Sequence, residues 1–303
     1  MTETAPSAPP VVAVLGLGAM GLPMATRLAS ALPVVAFDVF AERTDLAVAG
    51  GATAASTPAE ACASADFALI GVRNAEQLDA ALFAPSGAAA SLRAGAVVVL
   101  TSTVGTEVAR EAARRLGERG VDLLDAPVSG GAVRAAAGDL LIMVGAAAEV
   151  VQRSRPVLDL LASRVVEVGP NPGDGQTMKT VNQLLCGIHT AAAAEALTLA
   201  HRLGLDLDTT IEVLGAGAAA SFMLADRGPR MAQQLTGQTP ELRSRIDVIS
   251  KDMGIVHDLV RTAGSSAPVA AAAEQLYLVG QALGLAAEDD SAIVTALAPR
   301  TQQ

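Results

Sequence analysis

Short aliphatic and β-branched runs recur along the first half of the chain, each followed by an amphipathic stretch: VVAVL (11–15), VVAF (34–37), FALIGV (67–72), AVVVL (96–100), VDLL (121–124), LLIMVG (140–145) and VVEV (165–168). Strands that are apolar on both faces and spaced by helical segments predict an α/β fold, a doubly wound and mostly parallel sheet with helices on both sides. GPNPGDG (169–175) then concentrates glycine and proline and breaks any regular element. Beyond it strand signals nearly vanish. The pattern from Gln176 to Leu203 is helical, with Gly204 as its C-terminal stop, which makes roughly 42 Å of helix at about 1.5 Å per residue. The expected organisation is a disordered tail over 1–9, an α/β domain over 10–168, a hinge over 169–175 and an all-helical domain over 176–303 entered through that long helix. GLAAEDD, near the end, reads as a turn before a final short helix.

Composition narrows the class. At 303 residues the chain has room for two domains with substantial cores. Apolar residues make up 51%, but alanine supplies much of that share. Arg, Asp, Glu or Gly interrupts the long apolar stretches before they form a clean span, so no membrane association is expected. A net charge of −10, from 21 basic and 31 acidic residues, offers no basic field to a phosphate backbone, which argues against nucleic acid as a partner. The two cysteines, Cys62 and Cys186, match no paired metal-ligand spacing and suit a reducing compartment. His189, His201 and His257 are not spaced as a metal site either. MTETAPSAPP has neither the basic nor the apolar region of a signal peptide, so the expected setting is cytoplasmic.

The first chemical motif is Gly16-Leu17-Gly18-Ala19-Met20-Gly21, directly after the first strand run. Alone, G-x-G-x-x-G is a weak signal. Here Pro23 stands where the first turn of a helix tolerates a missing N–H, and the second strand ends in Asp38, twenty residues after Gly18. Glycines at these positions let the backbone approach a pyrophosphate, and the positive end of the following helix stabilises it. This context makes the first domain a dinucleotide-binding, Rossmann-type domain. A carboxylate at Asp38 accepts from a ribose 2′-hydroxyl and repels a 2′-phosphate, so NAD is favoured; Arg43, close by in sequence, leaves room for NADP.

Two further stretches bear on a substrate. Ser129-Gly130-Gly131 follows a strand at its carboxyl end, the side on which open α/β sheets bind ligands, and can present backbone N–H groups and a hydroxyl to a carboxylate. The alternative is a loop chosen for its turn geometry alone. Lys179 begins a helical face that continues through Asn182, Gln183, Cys186 and Thr190, while Met178, Val181, Leu185 and Ile188 form an opposite stripe suited to packing. A lone lysine on a helix is ordinarily a solvated group. This face, however, lacks the mixed charges of a soluble surface and follows the hinge, where clefts form. Desolvation in a cleft disfavours the ammonium form and suits the amine to proton transfer.

GLGAMGLPMA (16–25), DAPVSGG (125–131), GDGQTMKTVNQ (173–183) and KDMG (251–254) stand in the order and approximate spacing of the four signature blocks of the β-hydroxyacid dehydrogenases. The chain resembles this family over nearly its whole length. The resemblance implies an N-terminal Rossmann-type domain, a helical C-terminal domain and an active site in the cleft between them. It makes Lys179 the catalytic acid/base, with Asn182 hydrogen-bonding the reacting substrate, and gives the substrate carboxylate to Ser129, Gly130 and Gly131. On the cofactor side it implies the glycine loop (Gly16, Leu17, Gly18, Ala19, Met20, Gly21), Asp38, Val72, Arg73, Asn74, Thr103 near the nicotinamide ribose, and Lys251. In oxidation a neutral Lys179 would accept the hydroxyl proton while a hydride leaves the carbinol carbon for the nicotinamide.

Departures from the family pattern bear on the substrate. Gln183 stands where many members carry a second asparagine, and LTST replaces the usual acidic residue before the serine-threonine pair of the fourth strand. NQLLCGIHTAAAAEAL (182–197) and EDDSAI resemble the L-threonate dehydrogenase branch, although that branch tends to have histidine where Asn182 stands. Ser221, Phe222, Met223 and Arg227 are candidates to line a substrate pocket; the alternative is that they are helix ends packing on one another. The functional expectation is an NAD-dependent oxidoreductase of a small hydroxy acid of the 3-hydroxyisobutyrate or L-threonate type. Alternatives are an NADPH-dependent reductase of small semialdehydes or imines, and a non-catalytic dinucleotide-binding module. The alanine-rich helical domain, modest in size, predicts a homodimer or homotetramer.

Overall fold

The computed structural model describes residues 8–297, so most of the expected tail, and the last six residues of the expected helical domain, lie outside the described residues. The chain forms two compact units, the first reaching Lys179 and the second beginning at Thr180. The first therefore includes the 169–175 segment and the opening of the long helix.

Strands β1 (Val12–Leu15), β2 (Val34–Phe37), β3 (Thr53–Ala54), β4 (Phe67–Ile70), β5 (Val97–Leu100), β6 (Asp122–Asp125), β7 (Val128–Ser129), β8 (Leu140–Gly145) and β9 (Ala162–Gly169) make one sheet. Its order is β3-β2-β1-β4-β5-β6-β8-β7, with β9 paired to β8. Pairing is parallel from β3 to β6, whereas β8 runs antiparallel to β6 and β7. All seven apolar runs read from the sequence form strands; β3 and β7 are two residues each, too short to show a period.

Helices α1 (Gly21–Ala29), α2 (Ala41–Ala49), α3 (Pro58–Cys62), α4 (Ala75–Phe83), α5 (Thr106–Gly117), α6 (Gly131–Ala137) and α7 (Ala148–Leu161) flank the sheet. Alternation along β1 assigns the faces. Val12 and Val14 pack with Met24 and Leu28 of α1 and Leu158 of α7, and Ala13 and Leu15 pack with Leu78 of α4 and Leu116 of α5. Burying such side chains contributes about 1.5–3 kcal/mol each. A sheet whose central strands β1, β4 and β5 are dry on both faces leaves its strand ends and loops to carry chemistry.

The second unit contains most of α8 (Asp174–Arg202), then α9 (Leu207–Ala216), α10 (Phe222–Leu235), α11 (Ile246–Thr262), α12 (Pro268–Ala282) and α13 (Val294–Leu297). Gly204, at φ +74°, lies just past the end of α8 as the sequence predicts. Leu197, Met231, Ile246, Met253, Tyr277 and Ile293 centre its core. Helix α11 approaches α8 closely at Gly187, where an added Cβ would collide with the Met253 sulfur. The Tyr277 hydroxyl donates to the Gly187 carbonyl at 2.7 Å. The expected packing stripe is a correction: Met178, Val181 and Leu185 are exposed, and only Ile188 is half-buried. Ala191, Ala194 and Leu197, on another face of α8, enter the core instead. No helix among the described residues is long and apolar enough to cross a membrane.

Candidate functional site

The order β2-β1-β4 makes β1 the point where the sheet's winding reverses, and Gly16 to Gly21 form the loop after β1. Packing within the chain requires two of its three glycines. Gly16 has φ +90°, and an added Cβ would lie 2.6 Å from the Gly71 carbonyl oxygen; one on Gly21 would collide with the Gly16 carbonyl. Gly18 has no such constraint, since a Cβ there would meet nothing within 4 Å. The protein's own packing thus explains two of the glycines, and open space remains at the third, as the close approach of a pyrophosphate needs. Met20, at the N-cap of α1, makes no side-chain capping bond, so no side chain competes for that helix end.

Asp38 is buried at the end of β2. One carboxylate oxygen accepts from the Leu17 N–H at 2.6 Å and the other from the Phe40 N–H at 2.9 Å. Arg43 stands 3.6 Å away, with its guanidinium over the Phe40 ring. Asp38 therefore fixes the glycine loop, and these two bonds leave some of its lone pairs unused. After β4, the Val72 N–H donates to the Ser102 hydroxyl at 2.8 Å, the Arg73 N–H donates to Gln77, and Asn74 caps α4 by accepting from the Gln77 N–H at 2.9 Å. Asn74 thus has a helix-capping task. Thr103 follows β5 on the same carboxyl edge of the sheet.

Behind this edge is a hub whose roles sequence reading missed. Asp125, at the end of β6, and Gln176, in the first turn of α8, are both fully buried. One Asp125 oxygen accepts from the N–H groups of Gly173 and Gln176 at 2.8 and 2.9 Å, and the other accepts from Gln176 Nε2 at 2.8 Å. The same Nε2 donates to the Ser102 carbonyl at 3.0 Å, while Gln176 Oε1 accepts from the Val104 and Gly105 N–H groups. The amide orientation is therefore locked. Gly175 is needed here because a Cβ would press on the Asp125 and Met143 carbonyls. Desolvation pushes the Asp125 carboxyl up to about 6 against the pull of these donors. Both residues stand in the quoted motifs, but partners about fifty positions apart carry no local signal.

Lys179 is buried and lies one turn beyond Gln176 on α8. Ser129 ends β7; Gly130 and Gly131 take φ +142° and +74°, so the turn itself requires glycine at both positions. In the second unit, Asn182 Nδ2 donates to Gln183 Oε1 at 2.9 Å, and Gln183 Nε2 donates to Asp252 Oδ2 at 2.5 Å. Lys251 pairs with the other Asp252 oxygen at 2.8 Å. Asp252, which the motif alone left without a role, ties Gln183 to Lys251.

Three of the pocket candidates have specific placements. Ser221 caps α10, accepting from the Leu224 N–H at 3.0 Å, and Phe222 is exposed. The Arg227 guanidinium is committed to Asp226 and to the fully buried Asp290, next to an Arg230–Asp289 pair at 2.9 Å. Among the described residues no cluster of His, Cys, Asp or Glu is gathered to hold a metal ion.

A mostly parallel sheet carrying this glycine loop at its switch point is the frame of a dinucleotide-binding oxidoreductase. Residues 11–169 match the model of the NAD-binding domain of 6-phosphogluconate dehydrogenase, and residues 173–297 match that of the NAD-binding region of NADP-dependent 3-hydroxyisobutyrate dehydrogenase. An L-threonate dehydrogenase of Cupriavidus necator is 39% identical, covering 93% of this chain and 94% of that protein. The crystal structure of a 3-hydroxyisobutyrate dehydrogenase from Salmonella typhimurium superposes with a TM-score of 0.86 at 36% identity, covering 94% of this chain and 99% of that one. Psf3, in complex with NADP+ and 2-OPP, gives a TM-score of 0.86 at 28% identity, covering 94% and 99%. The chain belongs to the β-hydroxyacid dehydrogenase family and is an NAD(P)-dependent oxidoreductase acting at a CH–OH carbon.

Proposed function

We propose that the protein is an NAD-dependent dehydrogenase of a small hydroxy acid of the L-threonate or 3-hydroxyisobutyrate type, with Lys179 as the general acid/base. The observation that carries this is the burial of Lys179 one turn beyond the locked Gln176, which sets the backbone of its helix against the carboxyl ends of β5 and β6, on the sheet edge that also carries the glycine loop. When bound, the nicotinamide supplies the hydride chemistry. Lys179 takes the hydroxyl proton in oxidation and returns it in reduction, and Asn182 orients the reacting oxygen. Ser129, Gly130 and Gly131 take the substrate carboxylate, and Gln183, held by Asp252, borders the substrate. Leu17, Ala19, Met20 and Gly21 surround the pyrophosphate with Gly16 and Gly18, and Lys251 closes on the cofactor.

The buried Asp38 carboxylate supports NAD, and Arg43 at 3.6 Å supports a residual rate with NADP. The two free thiols suit a cytoplasmic setting, and the protein is read as a homo-oligomer. The test follows NADH or NADPH formation with L-threonate, D-threonate, D-erythronate, both 3-hydroxyisobutyrate enantiomers and D-glycerate. One acid with NAD is expected to give a rate that Lys179→Ala lowers by several orders of magnitude while NADH still binds. Near-wild-type turnover by Lys179→Ala would remove the lysine from the reaction.

A further inference from the structure

Gln176 joins segments that lie far apart in the chain. Its Nε2 donates to the Ser102 carbonyl at 3.0 Å and to Asp125 at 2.8 Å, and its Oε1 accepts from the Val104 and Gly105 N–H groups at 2.9 and 3.1 Å. These bonds use both donors and both lone pairs of the amide, in a fully buried site. Three of them go to the backbone on either side of Thr103. Ser102 extends the set, because its hydroxyl accepts from the Val72 N–H at 2.8 Å and so brings in the loop after β4. The opening of α8 is held at two further points: the Thr106 and Thr177 hydroxyls stand 2.9 Å apart, and a Cβ on Gly145 would lie 2.6 Å from the Gly175 nitrogen.

All of these residues belong to the first unit, which ends at Lys179. Lys179 follows Gln176 by three positions, about 4.5 Å along the helix axis and nearly one full turn, so the two share a side of α8. The loops tied together follow β4, β5 and β6, and two of them carry Val72 and Thr103, both read above as cofactor contacts. An apolar side chain would serve packing alone. An amide with every position used also fixes how the helix turn and the loops stand against each other.

We propose that Gln176 is a positioning residue for the proton-transfer step: it holds the Lys179 turn of α8 in register with the Thr103 loop, so that the amine is carried by the cofactor domain and not by the helical domain that α8 enters. Asp125 backs it by accepting from the Gly173 and Gln176 N–H groups, which anchors the start of the helix to the end of β6. Through this one side chain the group that moves the proton and the loop beside the nicotinamide form a single piece, whatever the second unit does. The inference rests on the reading of Lys179 as the general acid/base.

Lys179 and Lys251 are the only lysines in the chain. Trace acetylation of the full-length protein with acetic anhydride, read by peptide mass spectrometry, therefore reports Lys179 with Lys251 as its internal reference. Gln176→Met keeps the length of the side chain and loses all four bonds. Its Lys179 labelling relative to Lys251 is expected to rise about tenfold as the turn opens locally; a ratio equal to the wild type's would overturn the proposal, whether or not any acid is oxidised. With NAD and the acid of the panel that the wild type oxidises, kcat should fall about a hundredfold while the KM for NAD moves less than about threefold. An unchanged kcat would make Gln176 a packing residue only. Gln176→Glu is the conservative rescue, and it replaces Gln176→Met should that variant not fold. Protonated near pH 6, it keeps a donor for Asp125, so its labelling ratio should match wild type there and exceed it about fivefold by pH 9, as the carboxyl pair ionises. A ratio that follows wild type over the whole range would overturn the proposal as well. A wild type that oxidises no acid of the panel would defeat the dehydrogenase reading and leave the labelling ratios to decide this one.

Discussion

Gln176→Glu exchanges one amide nitrogen for oxygen at a site where the orientation is fixed on every side. Oε1 accepts from Val104 and Gly105, a role a carboxylate oxygen keeps, but Nε2 donates to both the Ser102 carbonyl and the Asp125 carboxylate. The replacement sets a second carboxyl group against Asp125 in a fully buried site, and the pair must hold a proton. In the wild type Asp125 alone has a folded value of about 6 against 3.8. Its stabilising proton uptake is complete below about 4 and lost as pH rises through 6, a loss of roughly 3 kcal/mol at about 1.4 kcal/mol per unit. Above pH 6 this group leaves wild-type stability level. The variant still holds a proton in the folded state that the unfolded chain has released, so it should go on losing up to about 1.4 kcal/mol per pH unit, or roughly 3 kcal/mol between pH 6 and 8. Urea unfolding at pH 6, 7 and 8, read from the midpoint at constant m, measures the difference. Parallel curves for the two proteins across that range would show that residues 125 and 176 do not share a dry site.

Gly18→Ala should leave the urea midpoint within about 0.5 kcal/mol of wild type, because its Cβ meets nothing, yet weaken NADH binding at least tenfold in calorimetric titration; unchanged binding would move the pyrophosphate elsewhere. Gly21→Ala, by contrast, should destabilise the apo protein through its collision with the Gly16 carbonyl. Asp289→Ala leaves the Arg230 guanidinium buried without its 2.9 Å partner and removes the acceptor of the Arg243 and Ser291 N–H groups. About 3–5 kcal/mol of stability should be lost, measured by urea unfolding. A loss below 1 kcal/mol would mean Asp226 and Asp290 alone satisfy the arginine.

What could be read in advance follows the range of each interaction. Strands buried on both faces betray themselves by composition, and α8 by its period and its glycine stop, so β1, β2, β4, β5, β6, β8 and the long helix were all legible. The glycine loop was legible because its chemistry is local. Asp125 and Gln176 were quoted in motifs but given no role, since their bond joins positions 51 apart. Asp252 needed Gln183, 69 positions away, to acquire a role. Arg227 looked free to meet a substrate until Asp290, 63 residues on, claimed it. Periodicity marked the stripe of Val181 and Leu185, but it cannot distinguish an apolar face covered by the same chain from one the chain leaves open.

That distinction also orders the functional claims. A residue whose type is fully explained by its neighbours within the fold says little about ligands: Asn74 and Ser221 cap helices, Gly130 and Gly131 satisfy positive φ, and Gly16 and Gly21 relieve contacts between backbone segments. Asp38 is only partly explained, since two N–H groups leave some of its lone pairs unused. Gly18 is not explained from within at all. An alanine there would favour the folded state by restricting the unfolded chain, and no contact forbids it. Glycine at that position therefore costs a little stability in the free protein, a cost that is offset only when something occupies the open space against its Cα.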